Sequence, residues 1–193
     1  IGPGRGALTV PLLRTAGHLD VIEIDRDLVP FLQASCAGEG ALRVHNMDVL
    51  KCDLGPLAAG RPLRLAGNLP YNISTPIIFH LLRQLPVIRD MYFMVQKEVA
   101  ERLAAAPGTR HYGRLGVMVQ LHCAVEILFT VGPEAFTPAP KVESALIRLT
   151  PHARPPVRIG SLPHFEEVVR RAFNQRRKTL RNALKGLLSA EQM

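Results

Sequence analysis

Asn68-Leu69-Pro70-Tyr71 brings three kinds of chemical group into four consecutive residues. Pro70 fixes its own φ and biases Leu69 toward an extended backbone, which limits where the Leu69 carbonyl can point. An amide side chain, an aimed carbonyl and an aromatic ring then converge on one spot. Such a spot suits a planar group bearing an –NH2, with two acceptors for its hydrogens and a ring to stack on its face. The same four letters also describe a turn followed by a core tyrosine, and alone they do not choose.

Other residues could serve the same site. Gly2, Gly4 and Gly6 are followed by Glu23. Glycines between a strand and a helix let the backbone approach a ligand closely, and an acid about 20 residues on can bind both hydroxyls of a ribose. A dinucleotide fold would place its third glycine at position 7, where Ala7 stands. That disfavours a pyrophosphate and leaves a ligand with a ribose but no phosphate, such as S-adenosylmethionine. Asp48 could accept from an adenine amino group while Met47 packs on the ring; a cap or turn residue is the competing assignment. Phe136, in a proline-stiffened loop, could face Tyr71 across a flipped base, or it could be a core phenylalanine. Arg177, Lys178 and Arg181 can share one helix face beside Arg176, as phosphate contacts need; a solvated basic helix is the alternative.

The elements that must position these residues alternate. Short apolar runs at Val21 to Asp25, Leu42 to His45, Leu63 to Ala66 and Met91 to Val95 read as strands. Helical stretches follow Leu8, Asp27, Pro76, Lys97 and Arg114, with Thr75 as N-cap and Pro76 at the first helical position of the third. This alternation predicts a mainly parallel α/β sheet. Val125 to Val131 and Val142 to Leu149 have no helix between them and predict an antiparallel hairpin closing it. Four prolines in 151–163 mark a linker, and two short basic helices follow at His164 to Phe173 and Lys178 to Leu188.

Composition bounds the rest. A chain of 193 residues holds one domain plus a small appendage, and 47% hydrophobic with 21% charged residues is ordinary for a globular protein. No apolar run approaches the ~20 residues of a membrane span. The chain begins at Ile1 rather than methionine, so its natural N-terminus is expected to lie upstream. Cys36, Cys52 and Cys123 form no CxxC pair and suit reduced thiols of a cytoplasmic protein. The seven histidines show no metal-ligand spacing, and no metal is expected. Of the net charge of +8, the last 43 residues carry nine Lys/Arg against three Asp/Glu, which suggests a polyanionic partner there.

In this order, GPGRGALT, EIDRDL, the Asp48 turn, GNLPYNISTP, QKEVAERL, YGRLGVM, FTPAPKVESALIRL and AFNQRRKTLRNAL resemble the KsgA-type ribosomal RNA adenine dimethyltransferases. The resemblance implies methyl transfer from S-adenosylmethionine, with S-adenosylhomocysteine as product and no metal. The acceptors would be the exocyclic amines of two adjacent adenines near the 3′ end of small-subunit rRNA, in the assembling small subunit. By motif, Gly2, Gly4, Glu23, Asp48 and Asn68 match cofactor contacts. Asn68 and the Leu69 carbonyl, in the turn held by Pro70, match the acceptors for the target amine, and Tyr71 and Phe136 match the pair that stacks the base. Arg176, Arg177, Lys178 and Arg181 are expected to contact RNA.

The implied fold is a Rossmann-like class I methyltransferase domain over 1–150, a linker over 151–163 and the start of a helical RNA-binding domain over 164–193. The family's segment before the glycine loop, with its first strand, and most of its helical C-terminal domain have no counterpart in this chain. A cytoplasmic monomer with no membrane contact is expected. Three other functions share parts of the pattern: a DNA adenine methyltransferase, a macrolide-resistance-type large-subunit rRNA methyltransferase, and a non-enzymatic RNA-binding relative. The basic NQRRKTLRN segment argues against the first two, and intact Glu23, Asp48 and NLPY against the third.

Overall fold

The computed structural model describes residues 1–174 and 178–187. Helix α1 (Thr9–Ala16) leads into strand β1 (His18–Glu23), helix α2 (Leu28–Ser35) and strand β2 (Ala41–Asn46). The one-turn helix α3 (Gly55–Ala58) precedes strand β3 (Leu63–Asn68), helix α4 (Ser74–Leu82) and strand β4 (Ile88–Gln96). Helices α5 (Lys97–Leu103) and α6 (Arg114–Gln120) then pass into strands β5 (Cys123–Val131) and β6 (Ser144–Pro151). Helices α7 (Leu162–Asn174) and α8 (Leu180–Leu184) complete the described chain.

The strands form two sheets. β1 and β2 pair in parallel, and a four-stranded sheet runs in the order β3-β4-β6-β5, with β3-β4 parallel and β6 antiparallel to both its neighbours. The expected closing hairpin is therefore present, with its register shifted at Leu128 of β5. The parallel sheet expected from strand–helix alternation is divided between β1 and β3. An apolar cleft of about 370 Å³ separates them, lined in part by Leu19, Val21, Leu63 and Leu65. The chain's first two residues bridge its far end: the Ile1 nitrogen donates to the Ala66 carbonyl at 2.7 Å and the Gly2 N–H to Ile22 at 3.0 Å.

Two apolar cores flank the sheets, and because alternate residues of a strand face opposite ways, Ile22 of β1 joins the larger and Val21 the smaller. Met91, Phe93 and Val95 of β4 lie in register with Leu149, Ile147 and Ala145 of β6, and all six are buried. Ile77, Ile78 and Leu81 of α4, Ala100 and Leu103 of α5, and Leu115 and Val119 of α6 complete this larger core. A smaller one packs Leu13 of α1, Leu32 of α2 and Cys36 on Val21 of β1.

Helix α4 starts earlier than its sequence suggests. Ile73, not Thr75, is the N-cap, and Pro76 is the third helical residue rather than the first. The third N–H of a helix also lacks a partner four residues back, so a proline there costs no intrahelical hydrogen bond. Helix α7 likewise begins at Leu162 and takes in Pro163, the end of the expected linker. It packs through Val169, and the Phe173 ring meets Tyr112 edge to face at 5.8 Å. Among the described residues, no helix is long and apolar enough to cross a membrane.

Candidate active site

The carboxyl ends of β1 and β3 are held together by the bridge from Ile1 and Gly2, which places the glycine loop between them. Gly2 and Gly4 adopt φ of +59° and +56°, the left-handed region that a side chain disfavours. Gly67 of β3 is glycine for a different reason. A Cβ there would lie 2.6 Å from the Ile1 carbonyl oxygen, so a side chain would push the loop off the strand end.

Glu23, the last residue of β1, is only 6% exposed. Its two carboxylate oxygens accept from the Gly4 N–H at 3.1 Å and the Asp25 N–H at 3.0 Å. It therefore ties the glycine loop to the strand end. Each oxygen keeps a second lone pair, so the carboxylate can also receive a diol. Asp48 lies two residues beyond β2. Its Oδ1 accepts from the Leu50 N–H at 2.9 Å and caps a 3-10 turn over Val49–Lys51. The capping role weighed against ligand binding is thus present, and it leaves the other oxygen available. Met47 beside it is 37% exposed.

Asn68 ends β3 with its side chain exposed. The Leu69 side chain is buried in the larger core and its N–H donates to Met94 of β4 at 3.1 Å, so the backbone at this turn is pinned on two sides. Asn68, Leu69, Pro70 and Tyr71 line one face of a groove of about 290 Å³, and Phe136, Thr137, Pro138 and Pro140 line the other. That volume is at the lower end of small-ligand pockets. Tyr71 and Phe136 are half-buried and belong to neither apolar core, so the core assignment for both is set aside. The loop carrying Phe136 is fastened at its far end, where the Lys97 N–H donates to the Glu143 carbonyl at 2.9 Å. The Glu143 carboxylate also pairs with the Lys97 ammonium at 2.7 Å and raises its pKa.

The structure thus gathers Asn68 through Tyr71 with Phe136, and sets Gly2, Gly4 and Glu23 at the same strand ends, with Asp48 at the end of the neighbouring strand. These residues fit a ligand with a diol and an exocyclic amine beside a second, planar one. Arg181 is exposed on α8, but Lys178, also exposed, lies before the Thr179 N-cap, so the helix face expected to carry both is not formed. Arg176 and Arg177 lie outside the described residues. Sequence inspection gave no part to Ser74 and Ser144, which hydrogen-bond Tyr71. The one signal for Ser144 was a small hydroxyl opening the run Ala145-Leu146-Ile147 of β6.

The small-subunit rRNA methyltransferase A of Pseudomonas aeruginosa is 59% identical over 192 residues, which is 99% of this chain and 72% of that protein. The protein of the same name from Nitrosococcus oceani is 57% identical, over 100% and 74% of the two chains. Among solved structures, a dimethyladenosine transferase from Plasmodium falciparum superposes with a TM-score of 0.81 at 33% identity, covering 95% of this chain and 65% of its own. The 23S rRNA methyltransferase ErmE gives 0.77 at 30% identity, covering 95% and 72%. The family profile described as ribosomal RNA adenine dimethylase matches residues 1–193. With that profile spanning every element that builds the groove and the glycine loop, the chain belongs to the ribosomal RNA adenine dimethylase family.

Proposed function

We propose that this chain carries the methyl-transfer site of an enzyme that dimethylates the exocyclic amines of two adjacent adenines near the 3′ end of small-subunit rRNA, with S-adenosylmethionine as donor. The observation that carries it is the single groove formed by Asn68–Tyr71 and the Phe136 loop, beside the glycine loop. A small-subunit target is favoured over a large-subunit one by kinship. Relatives named for the small subunit reach 53–59% identity, against 30% for the 23S enzyme.

An adenine amine is a poor nucleophile because its lone pair is delocalised into the ring. The Asn68 side-chain oxygen and the Leu69 carbonyl, by accepting its two hydrogens, favour a pyramidal nitrogen with the lone pair turned out of the ring plane. Tyr71 and Phe136 hold the base between two faces, so reaction requires little more than alignment. S-adenosylmethionine, when bound, supplies a sulfonium methyl as electrophile. Gly2, Gly4 and Glu23 would hold its ribose and Asp48 its adenine amino group, with Asn68 near the reacting end. Transfer would form the new C–N bond at the expense of the donor's bond to its methyl, and Asn68 with the Leu69 carbonyl would hold the nitrogen lone pair in line for it. The resulting ammonium is acidic enough to lose its proton to water, so no strong base is needed from the chain. Residues 164–193 would begin the RNA-binding part, joined through the proline-rich stretch 151–163.

Labelled-methyl transfer by the full-length protein tests this, with undermethylated small subunits, large-subunit rRNA and duplex DNA as acceptors. Transfer to the small subunits is expected, and Asn68→Ala is expected to abolish it while leaving most of the RNA affinity. Near wild-type turnover in Asn68→Ala would sink the assignment of the site, and preferential methylation of large-subunit rRNA the choice of target.

A further inference from the structure

Tyr71 is held at both ends. Its hydroxyl lies 2.6 Å from the Ser144 Oγ, a short O–H···O contact, and the Ser74 Oγ donates to its carbonyl at 3.3 Å. Ser144 is 0% exposed and is the first residue of β6. It stands in register with Gln96 of β4 and Val131 of β5, so three strands fix its position. Ser74 is likewise buried, at the start of α4. Neither serine lines the groove. Whatever they contribute there passes through Tyr71.

The geometry points to Ser144 as a positioning residue, a latch that fixes where the Tyr71 ring stands before a base enters the groove. This rests on the reading of Tyr71 as one of the two faces that hold the base. The hydroxyl lies on the axis of the second side-chain torsion, so a hydrogen bond to it restrains the first torsion, which sets where the ring stands. Stacking on a ring already fixed in place costs less order than stacking on a mobile one. Ser144 also closes the 132–143 segment that carries Phe136. One hydrogen bond therefore joins the two loops whose rings face the groove, and sets their relative placement. Alignment of the reacting amine depends on that placement, and small errors in such alignment are expensive in rate.

The test is a double-mutant cycle in the full-length protein, with Tyr71→Phe, Ser144→Ala and the pair combined. Tyr71→Phe keeps the stacking face and removes only the hydroxyl, so it serves even if Ser144→Ala folds poorly. Transfer to undermethylated small subunits is measured at a temperature where circular dichroism shows each assayed variant folded. Each single change is expected to lower kcat/KM for the RNA roughly 3- to 10-fold, the range for one hydrogen bond, with cofactor affinity unchanged. The combined variant is expected to fall no further than the worse of the two, because both remove the same bond. Losses that multiply in the combined variant would overturn the latch, and so would a wild-type kcat/KM in Tyr71→Phe. Asn68→Ala in the same series keeps the two ideas apart. Its inactivity beside a wild-type Tyr71→Phe removes the latch alone, whereas its full activity removes the reading of the site.

Discussion

At Glu23 a buried carboxylate has two tasks. It anchors the glycine loop through the Gly4 and Asp25 N–H groups, and under the proposed function it also receives the ribose hydroxyls. The sequence suggested only the second, because spacing to the glycines reveals a ligand contact but not a backbone one. Glu23→Gln keeps the shape, removes the charge and replaces one acceptor with a donor. It is expected to weaken S-adenosylmethionine binding by about 1.5–3 kcal/mol, the range for hydrogen bonds to a charged group. Calorimetry on the full-length protein checks this, and an unchanged affinity would reduce Glu23 to a loop anchor. The contrast with Ser144 shows where residue-level legibility stops. Asn68, Tyr71 and Phe136 stand in motifs whose residue types announce an amine and a planar ring. Ser144 acts across 73 positions of sequence on a tyrosine hydroxyl, and nothing local marks such a pairing.

Among elements, the order of helices and strands was readable because each strand is a short apolar run bounded by glycine, proline or an acid. The start of α4 was misplaced because Thr-Pro is the commoner opening of a helix. Here the chain enters helix two residues sooner, after the Ile73 N–H closes a turn on the Pro70 carbonyl. The pair that joins β3 to β4 gives a test at this scale. Arg64 donates two hydrogen bonds of 2.7 Å to the Asp90 carboxylate and also lies over the Tyr92 ring at 5.3 Å. Hydrogen bonding from Arg64 holds the Asp90 carboxyl below the usual carboxylate range. A depressed folded-state pKa contributes stability above the unfolded value, near 4, that is lost as pH falls through the folded value. Asp90→Asn is therefore expected to lower stability by about 1–2 kcal/mol at pH 7, reduced from the buried-pair range because Arg64 is half exposed. Denaturant titrations are expected to show the gap narrowing as pH falls below about 4. A gap that stays constant down to pH 2 would show that the pair is not its source.

At the scale of the molecule, charge is separated along the chain. The last 43 residues hold nine Lys/Arg against three Asp/Glu, while the sheets and the groove lie before them. Not all of that charge is free for a ligand. Glu167 accepts from both Arg170 and Arg171 on α7, and these two hold its carboxyl down to about 2. Lys178 and Arg181, by contrast, are exposed around the short α8, whose N-cap is Thr179. Under the proposed function they meet RNA phosphates, and phosphate contacts have a signature that structural ion pairs lack. Each neutralised phosphate releases condensed counterions, so log affinity falls linearly with log salt, by about 0.7–0.9 per contact. Replacing Lys178 and Arg181 together by Ala in the full-length protein is expected to make that slope shallower by roughly 1.4–1.8. The loss is expected to be similar for unrelated RNA sequences, since phosphates position a duplex or strand without reading its bases. Cofactor affinity and melting temperature are expected to stay near wild type, because both side chains lie outside the two apolar cores. Binding across a salt series, with differential scanning alongside, separates the possibilities. An unchanged slope with a lowered melting temperature would make this segment a clamp between α8 and the rest of the fold, and the RNA contacts would have to be sought on another face.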